Sequence, residues 1–423
     1  MKLVPLENTL GEPLLAGTAG SGLRLLINPR PGWARSFAAL GVNFGSIDRD
    51  SGQPVPEGLA HFLEHKLFED RDGDVTDRFA ALGASANAMT GFTATTYVVS
   101  TVEAPLECLD LLLDFVQDPW FTDALVAKEQ GIIAQEIRMY DDDPEWRLFF
   151  GLMGCLYERH PVRDNIAGTV ESIAAIDAAV LRRFYERFYR PRNLCLAVSS
   201  PLDPGEIAAR VEADQSGRPA DPLPAHARRP VDEPDGRRLP RAELRLPVAR
   251  PRLLLGLKDR PTGRDGVELL RRELTTRILL DALFGPASPA YERLYERGLV
   301  DDTFSASYSA EASFGFATVG GDTDDPAALE AALREVLTRA LAEGVDPAAF
   351  RRVRNKLQGA LLRALDSPES VALTLVGEAL RGAPAFTELS LFDTLAPGDL
   401  DRRAAELVRD EALAVSVVLP REA

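Results

Sequence analysis

Residues 61 to 65 read His-Phe-Leu-Glu-His, so His61, Glu64 and His65 stand in the order H-x-x-E-H. The chain of 423 residues holds only four histidines, and two of them are here. Apolar residues at Leu59, Phe62, Leu63 and Leu67 repeat at helical intervals, with Pro56 just ahead, which predicts a helix over Gly58 to Glu69. Positions four apart on a helix lie about 40° apart around the axis and one turn along it. His61 and His65 therefore project side by side, where two imidazole nitrogens can share one metal ion at the roughly 2.0 to 2.1 Å that tetrahedral zinc requires. Glu64, about 60° around from His61, lies beside the pair, placed to take a proton from an attacking water rather than to bind the metal. An amphipathic helix with two polar histidines on a half-buried face is the plainer account. The scarcity of histidine elsewhere favours the metal.

A catalytic zinc usually has three protein ligands and one open position, so a third ligand must come from another part of the fold. Glu136, in the periodic stretch EQGIIAQEIRMY, is the best candidate, and Glu129 precedes it by seven residues on the same helix face. Spacing alone does not separate these two from the carboxylates of an ordinary solvated face.

The elements that must position these residues can be read from the flanking sequence. GLRLLINPR and SFAALGVNFGS read as a strand pair, and TTYVVSTV as a further strand. EAPLECLDLLLDFVQDP and the segment Lys128 to Tyr140 carry apolar residues at helical intervals. Between about 213 and 242 the chain is rich in proline, glycine and charge, which reads as a linker separating residues 1–212 from 243–423. The halves resemble each other: VAKEQGIIAQEIRMYDDDPE (126–145) can be laid on FRRVRNKLQGALLRALDSPE (350–369), and NLCLAVSSP (193–201) on ALAVSVVLP (412–420). The expected fold is α+β, as two homologous domains, each an antiparallel sheet with helices packed on one face.

Composition narrows the function classes. A hydrophobic share of 45% is that of a globular chain. The 65 acidic against 48 basic residues leave a net charge of -17, which repels phosphate backbones, so no nucleic acid is expected as a partner. No apolar run is long enough for a membrane span and the start of the chain lacks the pattern of a secretory signal, so a cytoplasmic protein without membrane attachment is expected. Cys108, Cys155 and Cys195 lie far apart in apolar surroundings and read as buried thiols.

H-x-x-E-H, followed roughly seventy residues later by Glu129 and Glu136 on one helix in a chain of duplicated α+β halves, resembles the pitrilysin-type inverted-zinc-motif peptidases, which include insulin-degrading enzyme and the mitochondrial processing peptidase. EQGIIAQEIRMYDDDPEWRLFFG and HPVRDNIAGTVESI are most similar to its bacterial YmfH-like branch. The resemblance implies a zinc endopeptidase in which His61, His65 and Glu136 hold Zn²⁺, Glu64 is the general base and Glu129 supports the site without being a primary ligand. It also implies that the two domains enclose a chamber, which restricts substrates to peptides or unfolded segments. ASANAMTGFTATTYVV is similar to the family's edge strand, so Asn87 and Ala88 are expected to bind a substrate peptide that adds as an extra strand.

One stretch departs from the family. In RLYERGLVDDTF, Tyr295 stands where an arginine of the second domain is expected, and Asp301 where a tyrosine is expected. In the second half Arg277 and Asp281 take the places of the two histidines and Ala360 that of Glu136, so that half is expected to hold no metal. The chain then keeps the metal but lacks residues that polarise the substrate carbonyl, unless Arg293 or Tyr308 takes over. A paralogous metal-free subunit supplying them in a heterodimer is the expected partner, otherwise a homodimer. The alternative is a peptide-binding or assembly subunit that retains zinc but does not cleave. A purely structural zinc site is the weaker third reading, because H-x-x-E-H leaves a coordination position open.

Overall fold

The computed structural model describes residues 1–49, 55–260, 263 and 265–421. They form two compact units, each of which draws on both halves of the chain.

The first unit comprises Met1–Ile137, Asn165–Arg229 and Leu361–Thr387. Its strands are β1 (Val4–Pro5), β2 (Leu15–Thr18), β3 (Arg24–Pro29), β4 (Ser36–Val42), the short hairpin β5 (Glu69–Asp70) and β6 (Gly73–Asp74), then β7 (Ser85–Thr90), β8 (Thr95–Thr101) and β9 (Leu194–Ser200). Seven of these form one sheet in the order β1-β2-β3-β9-β4-β8-β7. The expected pairing of β3 with β4 does not occur. β9 lies between them, parallel to β3 and antiparallel to β4, so that Leu196 faces both Leu25 and Leu40 across the ladders. LCLAVSS is buried along its whole length, and a strand that needs cover on both faces belongs in the middle of a sheet. At the far side β7 pairs only with β8, and its residues alternate between exposed and half-buried.

The second unit comprises Arg138–Asp164, Pro230–Ala360 and Glu388–Ala423. Its sheet runs β10 (Arg241–Leu246), β14 (Leu413–Pro420), β11 (Arg252–Lys258), β13 (Phe314–Asp322) and β12 (Ser305–Glu311) in spatial order. β10 is parallel to β14, and every other neighbour is antiparallel. That repeats the arrangement β3-β9-β4-β8-β7 strand for strand, so the weak likeness between NLCLAVSSP and ALAVSVVLP corresponds to equivalent strands. The fold is the expected pair of α+β units with mainly antiparallel sheets, each holding one parallel pair.

The compact units differ from the expected division at 1–212 and 243–423. Residues 138–164 belong with the second unit and residues 361–387 with the first. The helix Pro368–Leu380 lies on β4 and β9 and buries Val371, Leu375 and Val376. At about 1.5–3 kcal/mol for each fully buried aliphatic side chain, these three supply several kcal/mol from residues far along the chain. Glycine permits the approach: a Cβ on Gly41 would stand 2.3 Å from Val376. The helix Pro144–Leu156 covers β11 and β14 of the second unit in the same way, with a Cβ on Gly256 standing 2.8 Å from Leu152. The helix layer expected on one face of the first sheet is present as Pro105–Gln117 and Pro204–Ser216 near β3, β4 and β8, and the exchanged helix covers the other face.

The expected linker is a pinned strap. Its first residues still belong to the helix Pro204–Ser216 and its last to β10. Asp221 takes two hydrogen bonds from Arg190, and Asp48 takes one each from His226 and Arg228. Further on, the buried pair Lys258 and Glu233 closes at 2.5 Å, and Glu233 also accepts the backbone N–H groups of Glu158, Arg159 and His160. Charged residues that read as a solvated linker are consumed in these contacts. All three cysteines are free and buried. Among the described residues no helix is long and apolar enough to cross a membrane.

Candidate metal centre

The motif helix runs over Leu59–Leu67, ending earlier than the sequence pattern suggests because Glu69 and Asp70 turn into β5. It begins after Gly58, whose φ of 81° is left-handed and where a Cβ would stand 2.3 Å from the Ala167 carbonyl oxygen. Only glycine fits that start. Leu59, Ala60, Phe62, Leu63 and Leu67 are buried and fix the helix against its unit, which leaves His61 buried and His65 and Glu64 half-buried on the side that matters.

Glu129 and Glu136 are carried by the helix Asp123–Asp142, held by the buried residues Val126, Ile133 and Ile137. Its partner contact with the motif helix runs through Glu69, which accepts from the fully buried Lys66 at 2.5 Å and from Lys128 at 2.9 Å. Lys66 is next to His65 and Lys128 next to Glu129, so this clamp ties the two helices beside the site.

One nitrogen each from His61 and His65 and one oxygen from Glu136 all lie within 4.8 Å of one another. His61 Nε2 is 3.7 Å and His65 Nε2 3.4 Å from the Glu136 carboxylate oxygens. These separations exceed an ordinary hydrogen bond of roughly 2.7–3.2 Å. They suit ligand atoms that share an ion, since two atoms at roughly 2.0–2.1 Å from one tetrahedral zinc stand about 3.4 Å apart. His61 Nδ1 is buried with no hydrogen-bond partner among the described residues, whereas His65 Nδ1 meets Glu129 at 3.1 Å. A carboxylate–histidine contact of this kind fixes the tautomer of an imidazole and would leave Nε2 for an ion. Among the described residues no other trio of His, Cys, Asp or Glu gathers in this way.

Electrostatics divides the two histidines. Burial, with the neighbouring His65, pushes the His61 pKa down to about 4, so this imidazole is neutral at pH 7. Burial also works against the charged form of His65, but the hydrogen bond to Glu129 and the charges of Glu136, Glu129 and Glu64 outweigh it and raise its pKa. Burial raises the Glu64 pKa, partly offset by hydrogen bonding from Thr90.

Thr90 escaped the sequence reading. It stands at the end of β7, and its hydroxyl donates to Glu64 Oε2 at 2.5 Å. The available signal was the strand alternation, which puts Thr90 on the same face as Ala86 and Ala88. Asn87 is exposed on β7 and its side-chain oxygen accepts the N–H of Ala88, at the edge of the sheet that no other strand covers among the described residues.

In the second unit, Tyr295 is 61% exposed, and Asp301 is engaged by Arg250 at 2.7 Å and by Thr303. Tyr308 is buried and donates to Asp259 at 2.5 Å, inside a cluster in which Asp259 also pairs with Arg272 and Arg403, so it is not available to act on a substrate. Arg293 lines a groove with Arg297, Glu335 and Arg339 between the helices Pro289–Glu296 and Pro326–Glu343. Where the histidines would stand, Arg277 pairs with Glu388 and Asp281 with Lys356.

Two family models match the chain: insulinase (peptidase family M16) over residues 25–170, and the peptidase M16 inactive domain over residues 175–357. The chain is 40% identical to the uncharacterized zinc protease YmfH of Bacillus subtilis, over 99% of both chains. The crystal structure of an M16-like peptidase from Alicyclobacillus acidocaldarius superposes with a TM-score of 0.94 at 39% identity, covering 99% of this chain and 100% of the other. A protease from Helicobacter pylori, at 18% identity, shares the fold with a TM-score of 0.85 over 97% of this chain and 100% of its own.

Proposed function

The chain belongs to peptidase family M16, in the YmfH-like branch, and from that premise we propose that it is a zinc endopeptidase centred on His61, His65 and Glu136. The observation that carries the proposal is the convergence of those three side chains with Glu64 alongside. A zinc ion held there would supply Lewis acidity, easing deprotonation of water and polarising a peptide carbonyl.

The chain's own residues perform the rest. His61 presents a neutral nitrogen, and Glu129 orients His65 through Nδ1. Glu64, held by Thr90 at the end of β7, takes the proton of the attacking water and delivers it to the leaving amine nitrogen as the C–N bond breaks. A substrate peptide adds to the open edge of β7 beside Asn87 and Ala88, where main-chain hydrogen bonds give sequence-tolerant affinity. Peptides or unfolded segments, which can take up an extended strand, are the substrate class.

The second reading is a subunit that keeps the metal and depends on a partner to cleave. It is favoured by Tyr295 and Asp301, neither of which supplies the expected arginine or tyrosine.

Metal content of two variants tests the assignment. Glu136→Ala is expected to lose zinc, since it removes a direct ligand. Glu129→Ala is expected to keep most of its zinc and lose about 10- to 100-fold in activity, the usual effect of a group that orients a ligand. Equal zinc retention in the two, measured by elemental analysis after dialysis, overturns the ligand set.

A further inference from the structure

We propose that Thr90 is a positioning residue that holds the Glu64 carboxylate in its proton-accepting place and away from the metal position, so that the strand receiving substrate also sets the base. This rests on the peptidase reading above.

The Thr90 hydroxyl has two acceptors in reach, and the Glu64 carboxylate is much the nearer. The hydroxyl lies 2.5 Å from Glu64 Oε2 and 3.5 Å from Thr95 Oγ1. Thr95 is buried and donates its own proton to the Phe44 carbonyl oxygen at 3.0 Å. An ionised carboxylate only accepts, so the Thr90 O–H is the donor and Glu64 the acceptor.

A glutamate has three rotatable side-chain bonds, and Glu64 sits one residue before His65, whose ring nitrogens already attract the carboxylates of Glu129 and Glu136. Without a tether the Glu64 carboxylate is free to turn to the same place and become a ligand instead of a base. Thr90 prevents this because β7 is fixed by its pairing with β8, in which Thr90 stands opposite Thr95. The residue lies three positions beyond Asn87 on the strand edge proposed to receive the peptide, so substrate docking and orientation of the base share one element.

Thr90→Val keeps the shape of the side chain and removes the hydroxyl, and Thr90→Ser keeps the hydroxyl. With the zinc-loaded chain and a peptide it cleaves, Thr90→Val is expected to lower kcat by about tenfold to a hundredfold, the worth of a hydrogen bond to a charged group. KM and zinc content should stay near those of the wild type, and Thr90→Ser should recover most of the loss. In the cobalt-substituted protein Thr90→Val should alter the visible absorption, reporting a new carboxylate ligand, while Thr90→Ser should not. Wild-type activity in Thr90→Val, or equal losses in both variants, overturns the inference while leaving the peptidase reading intact. A wild-type chain that hydrolyses no peptide under any loading overturns the reading on which the inference rests, and the cobalt spectra then decide the Thr90 tether by themselves.

Discussion

Glu64→Gln is expected to bind zinc as the wild type does and to lose peptide hydrolysis by about 10²- to 10⁴-fold, the usual contribution of proton transfer by a positioned side chain. The two properties separate because His61, His65 and Glu136 gather without Glu64, which instead faces Thr90 at the end of β7. Glutamine keeps the size of the side chain and can still meet the Thr90 hydroxyl, but it has no basic oxygen to accept a proton from water. Zinc analysis and a peptide assay on the same preparation check this. Loss of zinc in the variant would make Glu64 a ligand and leave the site without a base.

The second large effect concerns what the second unit does not provide. The purified chain, shown by mass to be free of any other polypeptide, is expected to bind zinc and turn peptides over slowly, below roughly 1 s⁻¹. A related subunit that lacks H-x-x-E-H but carries the missing arginine and tyrosine should raise the rate by about 10²- to 10³-fold, the worth of a donor to a developing oxyanion. Tyr308 cannot substitute, since its hydroxyl is committed to Asp259 in a buried cluster with Arg272 and Arg403. Turnover by the isolated chain at 1 s⁻¹ or faster would remove any need for a complementing subunit and would turn attention to Arg293.

The gathering of the candidate site was legible in the sequence to the extent that its geometry is local. The four-residue spacing of His61 and His65 and the seven-residue spacing of Glu129 and Glu136 fix which side chains share a helix face, and the structure gathers them accordingly. Which of the two glutamates stands nearer the paired histidine nitrogens depends on how two separate helices pack, and there the family resemblance, not the spacing, made the distinction. Thr90 was illegible because its bond to Glu64 spans 26 residues and depends on the register of β7 on β8. The repeat of the sheet was legible in its buried terminal strands, β9 and β14. The exchange of segments 138–164 and 361–387 was not, because an apolar helix shows in sequence that it needs a partner but not which sheet it will cover. The same holds for β3 and β4: each reads as a strand, yet β9, more than 150 residues later, takes the place between them.

Titration of zinc into the metal-free chain, with cleavage of a mixed peptide library followed at each step, tests the central assignment most directly. Cleavage, slow or fast, should be absent without metal and rise in step with bound zinc until the His61, His65 and Glu136 site is filled. Cleavage undiminished in the metal-free chain would contradict it.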